Sequence, residues 1–210
     1  MAESGSAVRR EIVAVCRRLY DKGLIAGPDG NVSVRLGSGV ILVTPAAMSK
    51  VDVTPDDLVE VSMDGARISG YREPSSEVQL HVRLYARRPD VQAVVHAHPP
   101  VATGFAVAGE GFETDVLPEL VNQMGRVPLV PYATPGTLAV ADAFEPFIAG
   151  HDAFLMANHG ATTTGPSLLI AHQRMESVEH SARILLAARL LGRVTELSTE
   201  QVAELLSHRA

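Results

Sequence analysis

Two histidines separated by one residue, His96 and His98 in VVHAHPP, are the side chains in this sequence best placed to do chemistry. In an extended segment residues i and i+2 project from the same face, so both imidazoles can turn towards one ion, and Pro99-Pro100 ends the strand just beyond them. A third imidazole, His159 in Asn158-His159-Gly160, closes the apolar run AFLMA ahead of a glycine turn, a place where α/β folds put ligand-binding groups. Three imidazoles on one ion would leave a position open for substrate, the arrangement that Lewis-acid catalysis by a zinc-like cation needs. Such chemistry also calls for a base. Glu77 is the candidate, because it follows Pro74-Ser75-Ser76 at an expected helix start, where free backbone N–H groups and two hydroxyls can receive an anion. The plainer reading is that Ser75 or Ser76 caps the helix and Glu77 complements its dipole. Gly30-Asn31-Val32-Ser33 is a second turn able to present N–H groups to an anion, although Asp29-Gly30-Asn31 would look the same as a tight turn alone.

The remaining candidates read as structural. His81 stands four residues after Glu77 on the same helix face, where a buried or solvated packing role is expected. His151, His172, His180 and His208 have no convergent partner in the sequence. Cys16, the one cysteine, lies in an apolar helical stripe and reads as buried packing rather than as a nucleophile.

The elements that must position these groups follow from periodicity. Val8, Ile12, Val15, Cys16 and Leu19 share one face of an amphipathic helix that Gly23 can stop. VSVRL and VILVT flank Gly37-Ser38-Gly39 as a hairpin, and DLVEVSMDGARISG repeats the pattern with Asp64-Gly65 as the turn. A helix over 76–88, a buried strand through VQAVVHAHP and a helix from 101 to about 108 come next. RVPLVPY is a short strand, GTLAVADAFEPFIAG a helix interrupted or bent near Pro146, and DAFLMANHGATTTG a strand, a sharp turn and a second strand. Residues 167–191 are strongly helical, and Ser198-Thr199-Glu200-Gln201 fits a capping box at the start of a last helix. Helices and strands are interleaved with no linker or repeat between them. One α/β domain over 1–210 is expected, with a mixed, mostly antiparallel central sheet covered by helices.

Composition narrows the function classes. With 18 basic against 24 acidic residues, a net charge of −6 and no Lys/Arg run, nucleic acid and anionic membrane are poor partners. No apolar stretch approaches the roughly 20 residues of a spanning helix, and the first residues lack the uninterrupted apolar run of a secretory signal, so a cytoplasmic location is expected.

Taken in order, GNVS at 30–33, VTP at 43–45, EPSSE at 73–77, RPDVQAVVHAHPP at 88–100, YATPGT at 132–137 and NHG at 158–160 resemble the class II aldolase and adducin-head family, the family of L-fuculose-1-phosphate aldolase. The resemblance spans roughly residues 7 to 192. It implies a mixed sheet with helices on both sides, and a homotetramer with active sites at subunit interfaces. By the same resemblance His96, His98 and His159 match zinc-binding histidines, and Glu77 matches the carboxylate that binds the resting metal and moves the proton. Gly30, Asn31, Ser75 and Ser76 match positions that hold the substrate phosphate. Manganese, cobalt or iron(II) would suit such ligands as well as zinc. The implied function is a metal-dependent aldolase-type lyase cleaving a small phosphorylated ketose, through a zinc-held enediolate, to dihydroxyacetone phosphate or a relative plus an aldehyde. The alternatives are a decarboxylase of the same family acting on a 3-oxo-tetronate phosphate, and a non-catalytic interaction module like the adducin head. Three departures bear on the substrate. Ala46-Ala47 replaces the hydroxyl residue and glycine usual after VTP. The segment VLPELVNQMGR lacks the tyrosine with which fuculose aldolases protonate the aldehyde oxygen. Glu77 stands where the related epimerase carries aspartate.

Overall fold

In the computed structural model, which describes residues 2–112 and 115–207, eight strands form one sheet in the order β4-β3-β2-β1-β5-β8-β7-β6. They are β1 (Asn31–Leu36), β2 (Val40–Val43), β3 (Val59–Ser62), β4 (Arg67–Ser69), β5 (Ala93–Ala97), β6 (Leu129–Val130), β7 (Ala153–Met156) and β8 (Gly160–Gly165). All neighbouring strands run antiparallel except the edge pair β6–β7. The hairpins expected around Gly37–Gly39 and Asp64-Gly65 are the β1–β2 and β3–β4 connections.

Among the described residues seven helices surround the sheet, the last packed on the fourth: α1 (Ala2–Asp21), α2 (Val78–Arg87), α3 (Pro100–Val107), α4 (Pro118–Gln123), α5 (Leu138–Phe144), α6 (Leu168–Leu190) and α7 (Thr199–Ser207). Alternation along the strands divides the apolar residues between two cores, one on each face. Ala93, Val95 and Ala97 of β5 join Ile12, Cys16 and Leu19 of α1 and Ala171, Met175 and Val178 of α6. Val94 of the same strand faces the other way, into Leu80, Leu84 and Tyr85 of α2 and Phe144 of α5. On α6 the buried Leu168, Ala171, Met175, Val178, Ala182 and Leu185 recur at alternating steps of three and four, which places them on one stripe against β5 and β8. Cys16 is fully buried, and burial pushes its thiol up to about 12, well away from a nucleophile's range.

Two local features differ from the periodic reading. β5 stops at Ala97, so His98 lies outside the strand, its N–H bonded to the carbonyl of Leu24 in a loop at 2.9 Å. The helix expected to be interrupted or bent near Pro146 is interrupted: α5 ends at Phe144, where Glu145 still has right-handed angles (φ −48°, ψ −44°) but Pro146 has no N–H to continue the ladder. α4 is a helix that the polar and apolar pattern of VLPELVNQ does not announce; Pro118 opens it and Leu120 and Val121 are its buried residues. The capping box at Ser198 is present: its hydroxyl accepts from the N–H of Gln201, and the Gln201 side chain accepts from the N–H of Ser198. His208 lies outside the described residues.

The junction between β5 and α3 carries the His96–His98 segment, and it is locked from α6. The buried carboxylate of Glu179 accepts from the N–H groups of Val101 and Ala102, each at 3.0 Å, and from Nε of Arg183 at 2.8 Å. A carboxylate at a helix N-terminus satisfies donors that have no intrahelical partner. Glu179→Ala leaves two N–H groups without their acceptor and is expected to lower stability by about 1–3 kcal/mol, with Glu179→Gln losing less. Urea unfolding of the three proteins checks both the sign and the order.

Candidate metal centre

β5 is held between β1 and β8, with Asn31, His96 and Thr162 in register across the three strands. Directly paired residues share a face, so Asn31 projects beside His96 on the side covered by α2. The His96 ring is completely buried. Its Nδ1 lies 2.9 Å from the carbonyl of Ala161. A carbonyl can only accept, so Nδ1 carries the ring proton and the lone pair of Nε2 points into the site. Burial drives the His96 pKa down to about 3, which keeps the imidazole neutral and able to ligate.

The other two imidazoles close on it. Nε2 of His98 is 3.2 Å from Nε2 of His96, and the three ring centroids of His96, His98 and His159 lie 4.8–5.1 Å apart. One nitrogen from each ring can be chosen so that all three fall within 4.8 Å of one another. Ligands about 2.0–2.1 Å from a tetrahedral cation stand roughly 3.3 Å apart, so these side chains could hold a divalent metal with little movement. His159 is aimed by the turn between β7 and β8, in which Asn158 takes a left-handed conformation with φ 56°. Gly160 must be glycine there, since a Cβ would stand 2.5 Å from the carbonyl oxygen of Ala97 and 2.6 Å from the His98 ring.

Glu77 joins the cluster from the N-terminus of α2, where it is the capping residue. Its Oε2 is 3.2 Å from Nε2 of His96 and its Oε1 is 3.6 Å from Nε2 of His159. Burial alone would raise its pKa; the facing His96 and His159 and the hydrogen bond from Asn31 outweigh burial and hold it below the usual carboxylate range. Oε1 of Glu77 and Nδ1 of His159 are buried with no hydrogen-bond partner. Unpaired polar atoms are uncommon in a folded interior, and carboxylate and imidazole are donor types that a cation completes.

The residues expected to receive an anion lie on two chain segments. Pro45 and Pro74 bridge, Ser75 N–H bonds the Thr44 carbonyl at 3.1 Å and Ala46 N–H bonds the Glu73 carbonyl at 3.0 Å. Ser75 is buried, its hydroxyl accepting from the Glu77 N–H, whereas Ser76 is exposed beside Gly136. Gly30 has φ 71°, and a Cβ there would meet the His96 carbonyl oxygen at 2.8 Å, so only glycine lets this turn approach β5. Asn31 is buried with both ends of its amide engaged, Nδ2 donating to Glu77 and Oδ1 accepting from His81. Ala47 adopts φ 52°, a left-handed position taken here by a residue with a side chain.

Three residues that the sequence pattern leaves in the background take part. Oδ2 of Asp29 lies 3.3 Å from Nδ1 of His98, so the turn before β1 orients this ring as Ala161 orients His96. Lys50 is buried, its ammonium donating to the carbonyls of Pro28 and Met48 at 2.8 Å, which ties the Gly30 turn to the Ala46-Ala47 loop. Burial lowers its pKa, partly opposed by nearby Cys16 and Asp29. His81, spaced like any helix-face residue, bonds both Asn31 and Ser33. The only sequence signal for these roles is a charged or polar residue within two positions of a turn, or at i+4 from Glu77.

An eight-stranded, mostly antiparallel sheet with helices on both faces carries a tris-imidazole cluster beside a helix-start carboxylate, a set of groups that could hold a metal ion. The Class II Aldolase and Adducin N-terminal domain matches residues 10–186, and the chain belongs to that family. It is 34% identical over 98% of its length to a 3-oxo-tetronate 4-phosphate decarboxylase of Escherichia coli O6:H1, covering 98% of that protein. It is 32% identical to a 5-deoxy-D-ribulose 1-phosphate aldolase of Bacillus thuringiensis serovar kurstaki, over 94% of this chain and 92% of that one. The crystal structure of YgbL from Escherichia coli superposes with a TM-score of 0.89 at 32% identity, over 96% of this chain and 99% of that one. These relatives include both aldolases and decarboxylases, in keeping with a lyase. No helix among the described residues is long and apolar enough to cross a membrane.

The site's electrostatics make one measurable demand. The buried His81 has its pKa lowered to about 4 by loss of solvation, against about 6.5 in an unfolded chain. Below pH 6.5 the unfolded state takes up a proton that the folded state refuses, so this group's contribution is complete above pH 6.5 and is lost as pH falls towards 4. Its slope is at most about 1.4 kcal/mol per pH unit. Thermal midpoints of metal-free protein from pH 7 to 4.5 should fall, and fall less steeply in His81→Gln.

Proposed function

We propose that this chain is a metal-dependent lyase that breaks a carbon–carbon bond beside the carbonyl of a small phosphorylated substrate, and that it decarboxylates a 3-oxo acid phosphate of the 3-oxo-tetronate 4-phosphate type. The observation that carries this is Glu77, a buried carboxylate facing His96 and His159 with one oxygen unpaired. His96, His98 and His159 would hold the cation, zinc or a similar divalent ion. When bound, that ion supplies a Lewis acid that polarises the substrate carbonyl and stabilises the negative charge that develops as the bond breaks. Gly30, Asn31, Ser75 and Ser76 form the anion side, which fixes the phosphate and so sets which carbon faces Glu77.

Proton bookkeeping favours decarboxylation over aldol cleavage. When the substrate's carboxylate departs as carbon dioxide, the bonding electron pair stays on the neighbouring carbon, and one proton must be delivered there. Glu77 can hold that proton at Oε1, taking it from water and passing it to carbon, and the product of a 3-oxo-tetronate 4-phosphate is dihydroxyacetone phosphate. Aldol cleavage of a ketose 1-phosphate asks in addition for a group to take the proton from the departing hydroxyl. Tyrosine would be the natural group; Tyr85 is buried with its hydroxyl on Ser33 and Tyr71 bonds Asp57, which leaves the exposed Tyr20 and Tyr132 for that role, a role decarboxylation does not need. Similarity over nearly the full length to the Escherichia coli decarboxylase points the same way. This reverses the order of preference drawn from the family motifs. Aldol cleavage stays the second reading, supported by the 32% identity to the Bacillus aldolase, and it shares the metal, the phosphate site and the proton delivered by Glu77.

Metal-loaded protein supplied with 3-oxo-tetronate 4-phosphate is expected to release carbon dioxide and dihydroxyacetone phosphate in equal amounts. Aldehyde formation from a ketose 1-phosphate with no carbon dioxide from the oxo acid would establish the second reading instead. Glu77→Gln should lower turnover by roughly 10²- to 10⁴-fold, and an unaltered rate would remove Glu77 from the chemistry. Stripping the ion with a chelator should abolish turnover, and adding zinc or manganese should restore it.

A further inference from the structure

Beneath the histidine cluster, Glu77 and Asn31 continue into a seam between α2 and β1 whose further polar groups, His81, Ser33 and Tyr85, the reaction as described does not use. Glu77, His81 and Tyr85 recur every four residues on α2 and its cap, and Asn31, Ser33 and Arg35 every two on β1. Four helical residues rise about 6.0 Å and two strand residues about 6.6 Å, so the two series stay in step. Asn31 Nδ2 is 2.9 Å from Glu77 Oε2, Asn31 Oδ1 is 2.5 Å from His81 Nε2, His81 Nδ1 is 2.6 Å from Ser33 Oγ, and Ser33 Oγ is 2.8 Å from the Tyr85 hydroxyl. Asn31, Ser33, His81 and Tyr85 are all buried.

We propose that His81, held by Ser33 and Tyr85, is a positioning residue that fixes the orientation of the Asn31 amide and through it aims the carboxylate of Glu77. The inference rests on the reading of Glu77 as the proton carrier. Each proton in the seam has one consistent place. An ionised carboxylate only accepts, so the amide group facing Glu77 is the NH₂ and the group facing His81 is the carbonyl oxygen. That oxygen requires the proton of His81 on Nε2. A neutral imidazole then has a bare Nδ1, which accepts from the Ser33 hydroxyl, and Ser33 Oγ in turn accepts from Tyr85. Turning the amide over would set its oxygen against the carboxylate and its NH₂ against the imidazole N–H, leaving two contacts repulsive in a buried seam. The tautomer of a ring outside the metal cluster thus selects which face Asn31 shows to Glu77.

A buried, satisfied core histidine would share the burial and the hydrogen bonds but would act on stability alone. The two roles separate by experiment on the zinc-loaded protein. His81→Leu removes the donor at nearly constant volume, and His81→Gln restores an N–H near the Nε2 position. With turnover measured well below the unfolding midpoint, His81→Leu is expected to lower kcat roughly 10- to 100-fold with little change in KM, the range for groups that orient a reactive side chain, and His81→Gln to recover most of it. In a Glu77→Gln background His81→Leu should cost nothing further in kcat. Unchanged kcat in His81→Leu, or losses that multiply in the double variant, would overturn the proposal. A second readout is independent of turnover. In ¹⁵N spectra the side-chain amide of Asn31 should shift and lose protection from solvent exchange in His81→Leu, and His81 of the parent protein should show the Nε2–H tautomer. An undisturbed Asn31 amide would overturn the proposal even if Glu77→Gln is inactive. If Glu77→Gln retains full turnover, the reading of Glu77 fails, and the Asn31 amide still reports whether His81 sets its orientation.

Discussion

Everything at the centre of this molecule depends on where one proton sits on a buried ring. His96 cannot be charged in its surroundings, so it has a single donor and a single acceptor, and the donor is committed to the carbonyl of Ala161. The acceptor must then face the space shared with His98, His159 and Glu77. That commitment is made by the sheet. β5 is paired on both edges, Asn31 lies on one side of His96 and Thr162 on the other, and neither neighbour can slide by one residue without turning its apolar side chains out of the core. The reactive face is therefore an outcome of strand register.

Such a site is uncomfortable when empty of charge compensation. It brings three lone pairs and a carboxylate together, with Glu77 Oε1 and His159 Nδ1 lacking partners, and the rest of the fold must offset that arrangement. Two cores on opposite faces do so, and so do local clamps that act on the loops bearing the site. Glu179 on α6 holds the turn after His98, Lys50 joins the loops around Gly30 and Met48, and Asp29 restrains the His98 ring. Buried polar networks rigidify a structure when their members are satisfied, and in the α2–β1 seam Asn31, His81, Ser33 and Tyr85 are linked in one continuous chain of hydrogen bonds. Rigidity is thus concentrated next to the incomplete cluster.

Much of this was legible in the residues. The hairpins, the buried strand through His96, the long α6 and the capping box at Ser198 follow from periodicity and turn chemistry, because those signals are local. The three histidines and Glu77 were legible as a group for the same reason, each sitting at a strand end or a helix start. What escaped was nonlocal or short. His98 leaves the strand because of a bond to Leu24, far off in sequence. α4 has six residues, too few to display a period. Asp29, Lys50 and His81 gain their roles from what lies opposite them in space. A four-residue rhythm on α2 facing a two-residue rhythm on β1 is visible in the sequence, but nothing there states that the two segments touch.

The loop carrying Ala46 and Ala47 shows how such a site can change its tastes. Ala47 follows a left-handed backbone path that suits glycine, and a non-glycine residue there costs of order 1–2 kcal/mol, so the route is imposed by its surroundings. The bond from Ala46 to Glu73 and the Lys50 ammonium on Met48 supply that imposition. A hydroxyl residue and a glycine could therefore be installed at 46 and 47 without redrawing the loop. Changes at these two positions would then leave the groups that face His96, His98 and His159 where they stand.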